Sequence, residues 1–198
     1  MAAKSYRSCL RFVVTAYCFL PVITPNYAFA ETPIQALQET LGRFQHILHD
    51  PALLEDGRKE QVVSTILERF DILEMSKSIL GPYWDQHRER QEAFVEEFTA
   101  FMKRIFLKQF NQIKALKMSC REEEIQGSTA KVVTDLSTSG DEFTINFLMH
   151  RYDAGWKIYD VMLENGSFSL IRNYRAQLQS ILRLSSFEQM MHIIGGKK

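Results

Sequence analysis

The spacing of apolar positions divides the chain into two regimes. From residue 33 onward they recur every three or four places, and Ile34, Leu37, Leu41, Phe44 and Leu48 form one stripe of a helix. Thr32-Pro33 supplies a cap and a first-turn proline, and Asp50-Pro51 ends the segment. A second helix is predicted from about Arg58, with Val63, Ile66, Leu67 and Phe70 inward. Asp71 can cap a third, short one carrying Ile72, Met75, Ile79 and Leu80, stopped by Gly81-Pro82. Tyr83 and Trp84 follow the break as aromatic wedges. The longest helix starts near His87. Its broad stripe is Phe94, Phe98, Phe101, Met102, Ile105, Phe106, Phe110 and Ile113, with Glu96, Glu97, Lys103 and Lys108 outside.

After Lys114 the period drops to two. Strands are predicted near 116–124, 129–138, 142–152 and 156–164, separated by short Gly-containing turns that imply successive antiparallel hairpins. Phe143, Ile145, Phe147 and Met149 alternate with Thr144, Asn146, Leu148 and His150, so one face is apolar and receives the helices. Strict alternation in the fourth strand puts Trp156, Ile158, Asp160 and Met162 on one side. Lys157, Tyr159, Val161 and Leu163 fall on the other. Asn165-Gly166-Ser167 is a turn signal. A helix follows from about Ser169 to Arg183, with Leu170, Ile171, Tyr174 and Leu178 on one face. Ser185-x-x-Glu188 resembles a capping box for a last helix bearing Met190, Met191, Ile193 and Ile194. The expected fold is α+β in one domain over residues 31–198: N-terminal helices, a four-stranded mainly antiparallel sheet, then C-terminal helices.

Residues 1–30 read as a cleaved secretory signal peptide. Lys4, Arg7 and Arg11 form the positive region, Phe12 to Ile23 the apolar one, and Ala28-Phe29-Ala30 the cleavage site. The apolar run is too short to span a bilayer, and Cys18 lacks the small-residue context of a lipoprotein box. An exported, periplasmic chain is expected. Without the signal, 21 Lys+Arg face 24 Asp+Glu, a formal charge of −3, which argues against a nucleic-acid partner. Cys120 is then the single cysteine, so no disulfide framework within the chain is possible.

Fourteen Phe and eight Met exceed what a small core needs for shape, and such side chains can line a cavity. Catalytic patterns are missing from the sequence. His46 and His49 sit three apart beside Asp50 without the His-Glu-x-x-His context of a zinc site, so no metal is expected. Neither a Gly-x-Ser-x-Gly elbow nor a phosphate-cradling glycine loop occurs. A curved sheet under helices resembles nuclear-transport-factor-like (NTF2-like) domains, some of which are enzymes. Asp160, His150 and Tyr159 would be the acid–base candidates there, although a strand Asp beside Trp also serves as a hydrogen-bond anchor. Arg172, Tyr174 and Arg175 form a polar cluster on one helix. They suit a lipid phosphate at a pocket mouth, a protein docking surface or a plainly solvated face.

Two blocks carry a family resemblance. One is Phe70-Asp71-Ile72 through Leu80-Gly81-x-Tyr83-Trp84, then Gln91-x-x-Phe94 and Phe98. The other is Trp156-Lys-x-Tyr-Asp-Val161, then Glu164-Asn165, Ser, Leu and Asn173-Tyr-Arg175. Together they resemble the MlaC-type periplasmic phospholipid-binding proteins over most of the chain from about residue 32. The resemblance implies a non-enzymatic, cofactor-free carrier shuttling phospholipid in the system that maintains outer-membrane lipid asymmetry. Its implied partners are an inner-membrane ABC transporter with a lipid-binding ring protein and an outer-membrane lipoprotein–porin complex. Relatives tied to hopanoid or toluene tolerance make another lipid the alternative cargo, and a small NTF2-like enzyme is a further one. The expected acyl-chain walls are Leu80, Trp84, Phe94, Phe98, Phe101, Met102, Ile105 and Phe106 from the helices. Phe147, Met149, Trp156 and Ile158 are expected from the sheet, with Arg172, Tyr174 and Arg175 meeting headgroup or partner.

Overall fold

The computed structural model describes residues 31–138, 140–153 and 155–196; the expected signal peptide, with Cys9 and Cys18, lies outside them. Helix α1 (Pro33–His49) begins as its sequence predicts. The Thr32 side chain accepts from the Gln35 amide, and the Gln35 side chain accepts from the Thr32 amide. A second anchor comes from far away in sequence. The Glu123 carboxylate accepts from the Ile34 amide at 2.8 Å, placing negative charge on the positive end of the helix.

Helix α2 (Glu55–Glu68) starts ahead of the expected Arg58, with Glu55 and Asp56 in its first turn. Phe70 leaves the helix, contrary to the sequence pattern, and forms a parallel bridge to Ile158. The Asp71 amide donates to the Ile158 carbonyl at 2.7 Å, and the Ile158 amide donates to the Arg69 carbonyl at 2.8 Å. Asp71 then caps α3 (Ile72–Leu80), and Gly81, at φ +55°, turns the chain into the single-turn α4 (Pro82–Gln86).

The expected long helix is two helices, α5 (Gln91–Lys108) and α6 (Phe110–Ala115), broken at Gln109. The break divides one aromatic stripe between two cores. Phe94, Phe98 and Met102 pack with α3 and with the C-terminal helices α7 (Leu170–Leu184) and α8 (Phe187–Ile194). Phe110 packs instead with Phe44 of α1 and Val62 of α2. Helix α8 is capped by Ser186, one residue past the expected Ser185; its hydroxyl accepts from the Gln189 amide.

Strands β1 (Lys117–Gln126), β2 (Thr129–Ser137), β3 (Glu142–Tyr152) and β4 (Gly155–Leu163) form an antiparallel meander in sequence order. Two bulges modulate it, at Arg121 and at Tyr159. The second overturns strict alternation in β4: Met149 pairs with Ile158 but Leu148 with Asp160, so Tyr159 is the extra residue. Val161 and Leu163 therefore join Trp156 and Ile158 on the apolar face. Asp160 is buried and accepts from the Ser169 hydroxyl at 2.7 Å and the Ile171 amide at 3.0 Å, fixing the start of α7. Phe70 packs against both the helical core and the core between α1 and the sheet. No described helix is long and apolar enough to cross a membrane.

Candidate functional site

Between α1, α6 and the apolar face of the sheet the packing is incomplete. A cavity of about 240 Å³ remains there. Leu37, Leu41 and Phe44 of α1 form its roof, Ile66, Phe70, Phe106 and Ile113 close its sides, and Met118, Leu136, Ile145, Phe147, Ile158 and Val161 are its floor. The floor exists because the alternating positions of four strands, rephased at Tyr159, all turn apolar atoms to one side. Among the described residues of the lining, Thr40 and Arg69 alone have polar side chains. A dry space lined this way favours alkyl groups over water, which needs two to four polar partners.

Of the residues expected to touch acyl chains, Phe106, Phe147 and Ile158 line this cavity. Leu80, Phe94, Phe98 and Met102 lie in the helical core, with Trp84 and Phe101 packed against it. That core is filled by aromatic contacts: Phe98 lies 5.9 Å from Phe94 and 6.1 Å from Phe101, with Tyr174 edge-on at 6.0 Å. Met149 and Trp156 are buried in the sheet core, where the Trp156 indole N–H donates to the Glu31 carbonyl, and Ile105 is half-buried away from the lining. Sequence reasoning missed the roof on α1 and the floor positions on β1 and β2. Their signal was the α1 stripe itself, once that helix is laid over the sheet.

Arg172, Tyr174 and Arg175 on α7 are not among the residues that line the cavity, and each has its own partner. Arg172 donates to the Gly166 carbonyl at 2.7 Å, and Arg175 donates to the Ser78 carbonyl at 2.6 Å, tying α7 to α3. Tyr174 is wedged against Phe98 and Phe101, and burial pushes its phenol up. Of the three acid–base candidates, His150 and Tyr159 meet, while the Asp160 carboxylate is held elsewhere. His150 stacks on Tyr159 at 4.1 Å on the face opposite the cavity, while Asp160 is engaged with α7. The Tyr159 phenol is pushed up by burial and by the neighbouring Asp160 carboxylate. His49 bonds the Gln45 carbonyl at 2.8 Å, and no group of three metal-ligating side chains forms among the described residues.

A polar pocket of about 210 Å³ adjoins the apolar cavity, sharing Thr40 and Arg69 with it. Its other walls are Glu31, Glu39, Arg43, Thr65, Glu68 and Lys157. Arg69 is the hinge of the arrangement. Its guanidinium donates to the Thr40 hydroxyl at 2.7 Å, the Trp156 carbonyl at 3.0 Å and the Glu39 carboxylate at 2.6 Å, joining the end of α2 to α1 and β4.

Comparison with solved structures finds the same fold in the phospholipid-binding protein from Ralstonia solanacearum, determined in complex with a phospholipid. The two chains are 16% identical and superpose with a TM-score of 0.67, covering 82% of this chain and 96% of that one. The comparison with curated proteins gave no match. Among protein families, the one described as MlaC protein matches residues 38–194, from the second turn of α1 to the last residue of α8. The chain belongs to the MlaC family.

Proposed function

We propose that the protein is a non-enzymatic phospholipid carrier whose acyl chains occupy the cavity between α1, α6 and the sheet. The observation that carries this reading is the cavity's lining: a wall of alkyl and aromatic side chains interrupted at one place only, by Thr40 and Arg69. Each methylene withdrawn from water there is worth about 0.8 kcal/mol. A carrier needs nothing beyond that burial and a route for release; no bond is made or broken. Family membership and the lipid-bound structural relative support the same reading.

At about 240 Å³ the cavity is smaller than the ~300–1,000 Å³ pockets that hold drug-sized ligands. A two-chain lipid is larger still, so uptake moves α1 and α6 away from the sheet. We further propose export through the N-terminal signal sequence, a periplasmic location, and exchange of cargo with an inner-membrane ABC transporter complex and an outer-membrane lipoprotein–porin complex in maintaining lipid asymmetry.

The test is native mass spectrometry of the processed protein purified from periplasm without detergent, with the bound lipid extracted and identified. A one-to-one phospholipid adduct is expected. A bare protein mass, together with no uptake from phospholipid vesicles, would refute the carrier function.

A further inference from the structure

The apolar cavity and the polar pocket meet at two side chains, and that junction has the chemistry of an amphiphile's own boundary. We propose that the pocket formed by Arg43, Arg69 and Lys157 with Glu39 and Glu68 is a headgroup subsite for a zwitterionic, phosphate-bearing lipid whose tails fill the adjoining cavity. This rests on the carrier reading and adds to it a site of chemical selection.

Arg69 carries the assignment. Its side chain is only 11% exposed, yet it lines a cavity that is otherwise almost wholly apolar. Burying a guanidinium there is costly unless its donors are matched. Three of its five N–H groups are engaged, by Thr40, Trp156 and Glu39, leaving one on each terminal nitrogen. Arg43 and Lys157 add two more cations to the same pocket. Arg43 pairs with Glu68 at 2.7 Å, and Lys157 donates to the Glu68 backbone carbonyl, making no ion pair among the described residues. A phosphodiester seated here exchanges water for charge-assisted hydrogen bonds.

The carboxylates decide what kind of phosphate fits. The side chains of Glu31, Glu39 and Glu68 match those of Arg43, Arg69 and Lys157 in number, so the pocket offers carboxylates as well as cations. A polyanionic head would meet three carboxylates. A head joining one phosphate to one ammonium finds an opposite charge for each end, with Glu39 and Glu68 half-exposed and able to turn toward the ammonium.

The experiment loads delipidated protein from vesicles doped with phosphatidylethanolamine, phosphatidylglycerol or diacylglycerol of identical chains, and counts bound lipid by mass spectrometry. The expected result is that phosphatidylethanolamine loads about tenfold over diacylglycerol, the worth of one charge-assisted hydrogen bond, and also ahead of phosphatidylglycerol. The ratio to diacylglycerol should fall toward one in Arg43→Gln/Lys157→Gln, which spares Arg69 and its ties to α1 and β4. Equal loading of diacylglycerol, or a ratio unchanged in the folded double variant, overturns the subsite while leaving the carrier reading standing. So does loading of phosphatidylglycerol ahead of phosphatidylethanolamine. Loading of none of the three sinks the carrier reading itself. Millimolar inorganic phosphate alone should leave the Arg69 Nε–H exchange rate unchanged; slowing it would assign the pocket to free phosphate and overturn the lipid assignment.

Discussion

Replacing Val161 by Trp distinguishes an empty space from a packed one. Val161 sits on the apolar face of β4, half-buried, and its side chain borders the cavity. An indole there grows into vacant volume. Taking roughly 100 Å² of extra apolar surface buried, the gain is at most about 2.5 kcal/mol. Lost rotamer freedom of about 1 kcal/mol and an unpaired indole N–H costing about 1–3 kcal/mol offset it. The net change in stability should lie within about 2 kcal/mol of zero. The control is Met102→Trp in the helical core, where Met102 is 2% exposed and does not line the cavity. Overpacking there should cost about 1–3 kcal/mol, a drop of roughly 2–10 °C in Tm for a chain of this size. Both variants should be delipidated before melting, because bound cargo stabilises whichever protein retains it. Circular dichroism melts then give stability, and native mass spectrometry after vesicle incubation gives lipid uptake. Val161→Trp should melt close to wild type and take up little lipid; Met102→Trp should melt early and still load. If Val161→Trp keeps full uptake, or is destabilised as much as Met102→Trp, the cavity does not hold the tails.

Three further outcomes follow from single side chains. Asp160→Ala removes the acceptor for Ser169 and Ile171 at the head of α7 and should cost about 2–3 kcal/mol in a urea titration, with lipid headgroup preference unchanged. The Tyr152 hydroxyl donates to the Asp71 carboxylate at 2.5 Å, which holds its phenol up at about 12. Because the folded value exceeds the ordinary value of 10, this contact's contribution is complete below pH 10 and is lost as pH rises towards 12. The last tyrosinate absorbance step should therefore vanish in Tyr152→Phe, and a titration of that variant retaining the step would disprove the assignment. Cys120 is half-buried, burial pushes its thiol up, and Thr134 donates to its sulfur. Alkylation by iodoacetamide should be severalfold slower in the folded protein than in urea.

The fold was legible where local rules act alone. Thr32, Asp71 and Ser169 announce helix starts because a cap needs only its own first turn. The four strands appear near their observed bounds because period-two patterns broken by glycine turns have few other solutions. The failures share a cause. The break at Gln109 has no glycine or proline to mark it; it is imposed because Phe98 and Phe110 serve different cores. The bulge at Tyr159 leaves the composition of β4 looking regular and shows only in its pairing with β3. Which aromatics border a cavity depends on whether the partner surface is complete, so the Phe94–Phe98–Phe101 stripe and the Phe106–Phe147 wall are indistinguishable as sequence. The polar pocket was hidden for a further reason: Arg43, Arg69 and Lys157 come from separate segments with no shared spacing.

The extra residue in β4 makes the protein's inside and outside a matter of counting. Upstream of Tyr159 the strand shows Trp156 and Ile158 to the interior; downstream it shows Val161 and Leu163, odd after even. Were Tyr159 paired in the ladder like its neighbours, the strand would be regular and the parity of everything after it would be reversed. Asp160 and Met162 would then turn inward, a carboxylate among the alkyl walls, while α7 lost the acceptor that starts it. The binding surface and the attachment of the C-terminal helices are thus set by a single phase shift in one strand. Removing Tyr159 instead would leave Val161 and Leu163 facing inward by plain alternation, so the bulge is what lets this strand carry one residue more than its partner without inverting its faces.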